Sequence, residues 1–329
     1  MWATRLTSCI LHKDCSRRVR MQPRLEEESR LNLSYRPKKY IKKHGIAYLF
    51  MLPAIFFLII LFVLPFIEVF KMSFYSVNLL NPEAEAFIFL DNFISALSDP
   101  TFYQYLYQGL IWTFGSVIGE YIVGIVTAIL LNQNIRGKTF FRAIIFIPWL
   151  VPIVVAAMTW RWILNPDFGI FNVMLVKVGI LDESINWLGT AGTAMLAVIF
   201  VNVWRTFPFY TVTLLAGLQS IPKEIIEAAE IDGAGIWQRF WYIILPSLKG
   251  VSAVIIILHV IWTFNNFDFI WLLTEGGPLH ATETLAITTY LEAFEKYHFG
   301  QASALSSIMI LILIGIIITY FKVEKKQNN

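Results

Sequence analysis

Residues 222–246 read Pro-Lys-Glu-Ile-Ile-Glu-Ala-Ala-Glu-Ile-Asp-Gly-Ala-Gly-Ile-Trp-Gln-Arg-Phe-Trp-Tyr-Ile-Ile-Leu-Pro, and they lie between two apolar runs, Thr193–Leu218 and Gly250–Leu273. Either run is long enough to cross a hydrocarbon core, which takes about 20 helical residues. A plain connection between two spanning helices needs only a few residues, so a segment this long and this charged has work outside the bilayer. Its punctuation predicts helix, turn, helix. Ser220 is placed to cap the first helix, over about 222–231, with Pro222 in the first turn and Glu224 suiting the positive end of the helix dipole. Ile225, Ala228 and Ala229 fall on one face of that helix and Glu224, Glu227 and Glu230 on the other. Asp232-Gly233 stops it, because glycine adopts the left-handed cap conformation at little cost, and a second helical stretch over 236–245 runs to Pro246 at the start of the next apolar run.

The rest of the chain belongs to a bilayer. It is 57% hydrophobic and 15% charged, with mean hydropathy +0.62, more apolar than a soluble core of this length requires. Six runs qualify as spans: about 46–70, 109–131, 143–163, 193–218, 250–273 and 304–321. A transmembrane barrel would alternate apolar and polar residues over about ten positions, and these runs do not. The fold class read from this is an all-α polytopic membrane protein of six transmembrane helices, a permease domain over 45–323 with a loop at 220–247 and a short tail at 324–329.

Charge fixes the expected orientation. Residues 1–44 form a basic segment with Arg36, Lys38, Lys39, Lys42 and Lys43 just before the first span. The segments that six spans place on the same side carry Arg136, Lys138 and Arg142; Lys223, Arg239 and Lys249; and Lys322, Lys325 and Lys326. On the other side, 72–108 has Glu83, Glu85, Asp91 and Asp99 with no Lys or Arg, while 165–192 and 274–302 hold only Lys177 and Lys296. Both termini are therefore expected in the cytoplasm. The first span is too long for a signal-peptide core and reads as a retained anchor, with Pro53 and Pro65 inside it. Cys9 and Cys15 lie in the basic segment without metal-ligand spacing, and Met21, which opens a more ordinary lead-in, is a candidate translation start.

Gly137-Lys138-Thr139 looks like the end of a phosphate-binding loop, but position 132, where that loop needs glycine, is Asn, and an apolar span stands in place of the buried strand. No cofactor, metal or catalytic constellation is read from the chain. Polar groups within the spans are few: Glu120, Asn202 and Arg205, His259, Asn265, Asn266 and Asp268. Ionisable groups there are costly and mark functional candidates, while interhelical hydrogen bonding is the plainer role for any one of them. Asn202 and Arg205 share a helix face by spacing, as do Asn265 and Asp268. Trp262, Phe267 and Trp271 offer ring faces beside those amides. Gly115 and Gly119 suit close helix packing, and Pro148, Pro152 and Pro208 are expected to kink their spans.

The spacing of Glu227, Ala228, Ala229, Gly233, Ile243, Leu245 and Pro246 resembles the EAA signature of binding-protein-dependent ABC importer permeases. Asn92-Phe93, Asn202-Val203-Trp204-Arg205 and Trp271-Leu272-Leu273-Thr274-Glu275-Gly276-Gly277-Pro278 resemble the carbohydrate-uptake branch, on its maltose-type F-like or glycerol-phosphate-type A-like side. The resemblance covers about residues 45–323. It implies type I importer architecture in a bacterial or archaeal cell membrane, with a second homologous permease, an ABC ATPase dimer, an extracytoplasmic solute-binding protein and a sugar or oligosaccharide as partners, and no nucleic acid. Glu227, Ala228, Ala229, Asp232, Gly233 and Ala234 would meet the ATPase, and Asn202, Arg205, Trp262, Asn265, Asn266 and Asp268 are the candidates for the path. The alternatives are an interfacial hairpin for the loop, and an ion-gradient transporter or a membrane enzyme for the whole, against which stand the lack of internal duplication and of clustered acid-base groups.

Overall fold

A computed structural model describes residues 49–81, 83, 85–133 and 136–328, with side chains to 322. The basic segment with Cys9, Cys15 and Met21, and the side chains of Lys325 and Lys326, lie outside the described residues. The chain divides into two units at Phe66/Ile67, of which the first contributes only the start of helix α1, Leu49–Met72. Then follow α2 (Asp91–Ser98), α3 (Pro100–Asn132), α4 (Lys138–Leu150), α5 (Ile153–Ile163), α6 (Ile170–Lys177), α7 (Ala191–Gln219), α8 (Lys223–Ile231), α9 (Ile236–Ser247), α10 (Lys249–Phe264), α11 (Asp268–Thr274), α12 (Leu285–Phe294) and α13 (Phe299–Asn328). Among the described residues the extended backbone is limited to isolated bridges, Tyr75 with Phe87 and Asn78 with His298.

Four helices, α1, α3, α7 and α13, are each long and apolar enough to cross a membrane, and the bent pairs α4–α5 and α9–α10 bring the number to six. The first bend is 93° and falls at Pro152, whose missing N–H and fixed φ end one helix and start another. Pro148 and Pro208 sit inside helices α4 and α7, which run on past them. The fifth apolar run, read as one span to Leu273, is interrupted: α10 ends at Phe264 and α11 begins at Asp268. Asn265 is the C-cap of one helix and Asp268 the first residue of the next, so these two do not share a helix face as their spacing had suggested.

Two π-helical turns recur in one sequence register. Ile59–Val63 precedes Leu64-Pro65, and Phe240–Ile244 precedes Leu245-Pro246, with the leucine N–H bonded to the oxygen of Ile59 and of Phe240 respectively. A proline ring crowds the carbonyl four residues back, and widening the preceding turn relieves the clash without breaking the helix.

The body of the second unit is built on α3 against α7. A Cβ at Gly115 would lie 2.9 Å from Ile199 Cδ1, at Gly119 2.6 Å from Val203 Cγ2, and at Gly124 2.4 Å from Tyr210 Cβ. These glycines let two spans approach closely within the chain, where packing replaces the hydrophobic effect as the source of association. Trp112, fully buried on the same helix, donates from Nε1 to the Thr263 carbonyl at 2.8 Å, near the interruption after α10. The loop before α7 is tied by one buried amide: Asn172 donates to the Ile185 carbonyl at 2.9 Å and accepts from the Trp187 indole at 2.8 Å.

Candidate functional site

Two places gather the residues singled out by the sequence. The first is the α8–α9 hairpin. Its turn is built as expected: Gly233 has φ +81°, its N–H bonds the Glu230 carbonyl at 3.0 Å, and the Ala234 N–H bonds the Ala229 carbonyl at 2.9 Å, the double closure of a Schellman cap. The start differs from expectation. Ser220 caps nothing ahead of it; it ends α7, its hydroxyl donating to the Gly217 carbonyl at 2.7 Å, and Pro222 occupies the N-cap of α8. No residue of α8 is buried, and Ile225, Ala228 and Glu227 are all exposed, so neither face of the helix is covered within this chain. Only Ile226 and Ala229 are partly covered.

An ion pair between Glu230 and Arg239 braces the two helices of the hairpin, and the Gly235 N–H donates to Gln238 Oε1 at 2.8 Å, capping the start of α9. Asp232, Gly233 and Ala234 line an open hollow of about 270 Å³ with Gln238, Tyr242 and Ile243. Ile231 is 86% exposed and Tyr242 80%, an unusual outlay of large side chains for a helical hairpin that has no partner.

The second place is a cavity of about 180 Å³ between α3, α4, α7 and α10, lined by Glu120, Trp149, Asn202, Arg205, Thr206, His259, Trp262, Thr263 and Asn266. Four of the six path candidates, Asn202, Arg205, Trp262 and Asn266, meet there. Asn265 and Asp268 do not line it: both are exposed, and the Asn265 amide donates back to the Ile261 carbonyl at 2.9 Å. Phe267 and Trp271 stack on one another at 5.3 Å and on Tyr290, outside the cavity lining.

Glu120, fully buried on α3, is the hub of this cavity. Its Oε1 accepts from Asn202 Nδ2 of α7 at 2.9 Å, and its Oε2 is 2.9 Å from His259 Nδ1 of α10. The ring of Tyr210 meets the imidazole edge-on at 4.5 Å, with Phe209 and Trp262 packed around it at 5.4 and 5.3 Å. The sequence offered Glu120 and His259 as isolated polar residues, and no spacing could pair groups 139 positions apart.

On the face of the molecule that carries the Gly276-Gly277-Pro278 turn, a second hollow of about 390 Å³ is lined by Arg161, Asn165, Asn186, Thr274, Glu275, Gly277 and Pro278 among others. The turn is held by Thr282, whose hydroxyl donates to the Gly277 carbonyl at 2.7 Å, and by buried Glu283, which accepts from Thr288 at 3.0 Å and pairs with His280 Nδ1 at 2.5 Å.

Residues 120–324, from the hub glutamate almost to the C-terminus, match the family of binding-protein-dependent transport system inner membrane components. The chain belongs to that family. It is 37% identical over 300 residues to the trehalose/maltose transport system permease protein MalF of Thermococcus litoralis, covering 90% of this chain and 97% of the relative. It is 30% identical to the sn-glycerol-3-phosphate transport system permease protein UgpA of Pectobacterium atrosepticum, over 86% of this chain and 95% of the relative. The fold matches that of a chain in the crystal structure of a bacterial ABC transporter involved in the import of the acidic polysaccharide alginate, with TM-score 0.77 at 22% identity over 88% of this chain and 99% of that one. A multi-pass transport permease is thus the architecture.

Proposed function

We propose that this chain is one of two permease subunits of an ATP-driven sugar importer in a bacterial or archaeal cell membrane. The observation that carries the reading is the α8–α9 hairpin. A short helix with no buried residue, ended by a Schellman turn and flanked by exposed Ile231, Trp237 and Tyr242, is a finished surface waiting for another protein. Glu227 offers a charged acceptor to a basic group on an ATPase, and Ala228, Ala229, Asp232, Gly233 and Ala234 give the close, small-residue contact around it. Closure of an ATPase pair would then tilt α8 and, through α9 and the 67° bend into α10, move the helix that carries His259 and Trp262.

The hairpin lies on the cytoplasmic side and both termini with it, a placement supported by the distribution of Lys and Arg. The cavity around Asn202, Arg205, Trp262 and Asn266 is this subunit's share of the path, with Asn265 and Asp268 placed beside the helix break next to it. Amides and ring faces suit a sugar, whose hydroxyls take hydrogen bonds and whose apolar faces stack on aromatics. The names of the relatives support the solute class, trehalose and maltose for one and glycerol 3-phosphate for another. A chain of like fold occurs in a bacterial alginate transporter solved in complex with an alginate pentasaccharide-bound periplasmic protein, and the hollow beside Gly277-Pro278 is the surface we assign to such a solute-binding protein here.

Affinity purification of the tagged chain from its native membrane tests the reading. A different permease and an ATPase are expected to elute with it in stoichiometric amounts. Solute uptake driven by an ion gradient in liposomes containing this chain alone would instead establish a secondary transporter.

A further inference from the structure

The buried carboxylate at the centre of the cavity has no part in the coupling scheme, yet it holds groups from two other spans. Glu120 is fully buried, and its two oxygens are committed separately, Oε1 to Asn202 Nδ2 and Oε2 to His259 Nδ1, each at 2.9 Å. With Glu120 ionised, its oxygens only accept, and the nitrogen facing it then carries the proton. That leaves the other ring nitrogen, Nε2, as the lone-pair side of a neutral imidazole. His259 is buried, Nε2 has no partner within the protein, and the residue lines the cavity. Arg205 also lines the cavity, and its Nε is likewise buried without a partner. A wall with one acceptor and one donor left unmet inside a polar cavity is arranged for an occupant with hydroxyl groups.

We propose that Glu120 is a positioning residue for solute recognition: by holding the Nδ1 proton of His259 it presents Nε2 as an acceptor to a hydroxyl donor of the solute, while its other oxygen fixes Asn202 on the opposite wall. The solute part of this rests on the sugar reading above; the tautomer part does not. Glu120→Gln is the discriminating change. Glutamine keeps the volume and both bonds, accepting from Asn202 with its oxygen, but its amide donates to His259 Nδ1, so the imidazole proton must move to Nε2. The cavity then presents a donor where it presented an acceptor, with packing unchanged.

The full complex, with all subunits, labelled with ¹⁵N-histidine, reads the tautomer directly; the chain contains five His, and His259→Gln identifies the signal that belongs to this one. The expected wild-type spectrum has His259 Nδ1 protonated and Nε2 unprotonated, and the Glu120→Gln spectrum has the two exchanged. A wild-type Nε2 that carries a proton, in a neutral ring or an imidazolium, overturns the proposal whether or not the variant assembles. In uptake of radiolabelled maltose by the same complexes, KM should rise on the order of tenfold in Glu120→Gln, the effect of one hydrogen bond turned into an opposed pair of donors. Maximal velocity should stay within about twofold and Glu120→Asp should recover KM in part, since an acceptor is restored. An exchanged tautomer with unchanged KM overturns the recognition role. Failure of the wild-type complex to take up maltose or any other sugar strikes the solute class and leaves the tautomer result standing.

Discussion

Gly233 shows how a single residue can be needed without touching anything. Its φ of +81° belongs to glycine, and a Cβ added there would meet nothing within 4 Å, so the chain itself supplies no steric objection to a side chain. Gly233→Ala should cost about 1 kcal/mol of local conformational energy and leave the fold intact. Gly233→Asp adds bulk and charge to the exposed turn, and Glu227→Lys reverses the charge of the surface beside it. Both variants should accumulate in the membrane at wild-type levels, and pull-down should recover less than about a tenth of the ATPase, the outcome of losing a charge-assisted contact at an interface centre. The turn was legible in the sequence because a Schellman cap is local: one glycine, four residues after the last alanine of Glu-Ala-Ala, closes onto carbonyls of its own helix. Ser220 was misread for an equally local reason. The same serine can cap a following helix or end a preceding one, and α7 runs on to Gln219 and takes it.

At the scale of elements, the contact between α3 and α7 decides whether the cavity exists, because Glu120 and Asn202 sit on these two helices immediately next to Gly119 and Val203 in the chain. Gly119→Leu must push the helices apart, since even a Cβ would lie 2.6 Å from Val203 Cγ2. A loss of several degrees in the melting temperature of the detergent-solubilised complex is expected, with no such loss for Gly192→Leu, where an added Cβ meets nothing within 4 Å. The start of α3 makes a separate prediction. Asp99 accepts from the Thr101 N–H at 2.9 Å, and that hydrogen bond holds its carboxyl below the ordinary range. A lowered folded-state value contributes stability above the unfolded value, about 3.9, and loses it as pH falls through the folded one. Asp99→Ala should therefore cost about 1 kcal/mol near neutrality and next to nothing once the wild-type carboxyl is protonated, read as the difference in unfolding temperature across pH. Hydropathy located all six apolar runs, yet could not see that the fifth breaks after Phe264, because Asn265-Asn266-Phe267 is no more polar than many spans tolerate. The bend at Pro152 was foreseen in kind.

The whole molecule joins two places that the sequence presented separately: a hairpin defined by local spacing and a cavity that exists only after four helices meet. The cavity was half legible. Asn202 and Arg205 lie on one helix and their shared face follows from spacing, whereas the bonds that make Glu120 its hub join residues 82 and 139 positions apart. Orientation can be read directly by thiol labelling in a background with Cys9 and Cys15 replaced. Leu279→Cys, 87% exposed beside the Gly277-Pro278 turn, should react with an impermeant maleimide in intact cells, and Ile231→Cys, 86% exposed on α8, only after permeabilisation. The most direct test of the central claim, that α8 couples an ATPase to a sugar path through this subunit, is uptake of radiolabelled maltose by proteoliposomes holding the complete complex, its binding protein and enclosed ATP. Wild-type vesicles should accumulate the sugar only with ATP, and vesicles with Glu227→Lys in this chain should fall to the level without ATP. Undiminished ATP-driven accumulation by the Glu227→Lys complex would contradict the account.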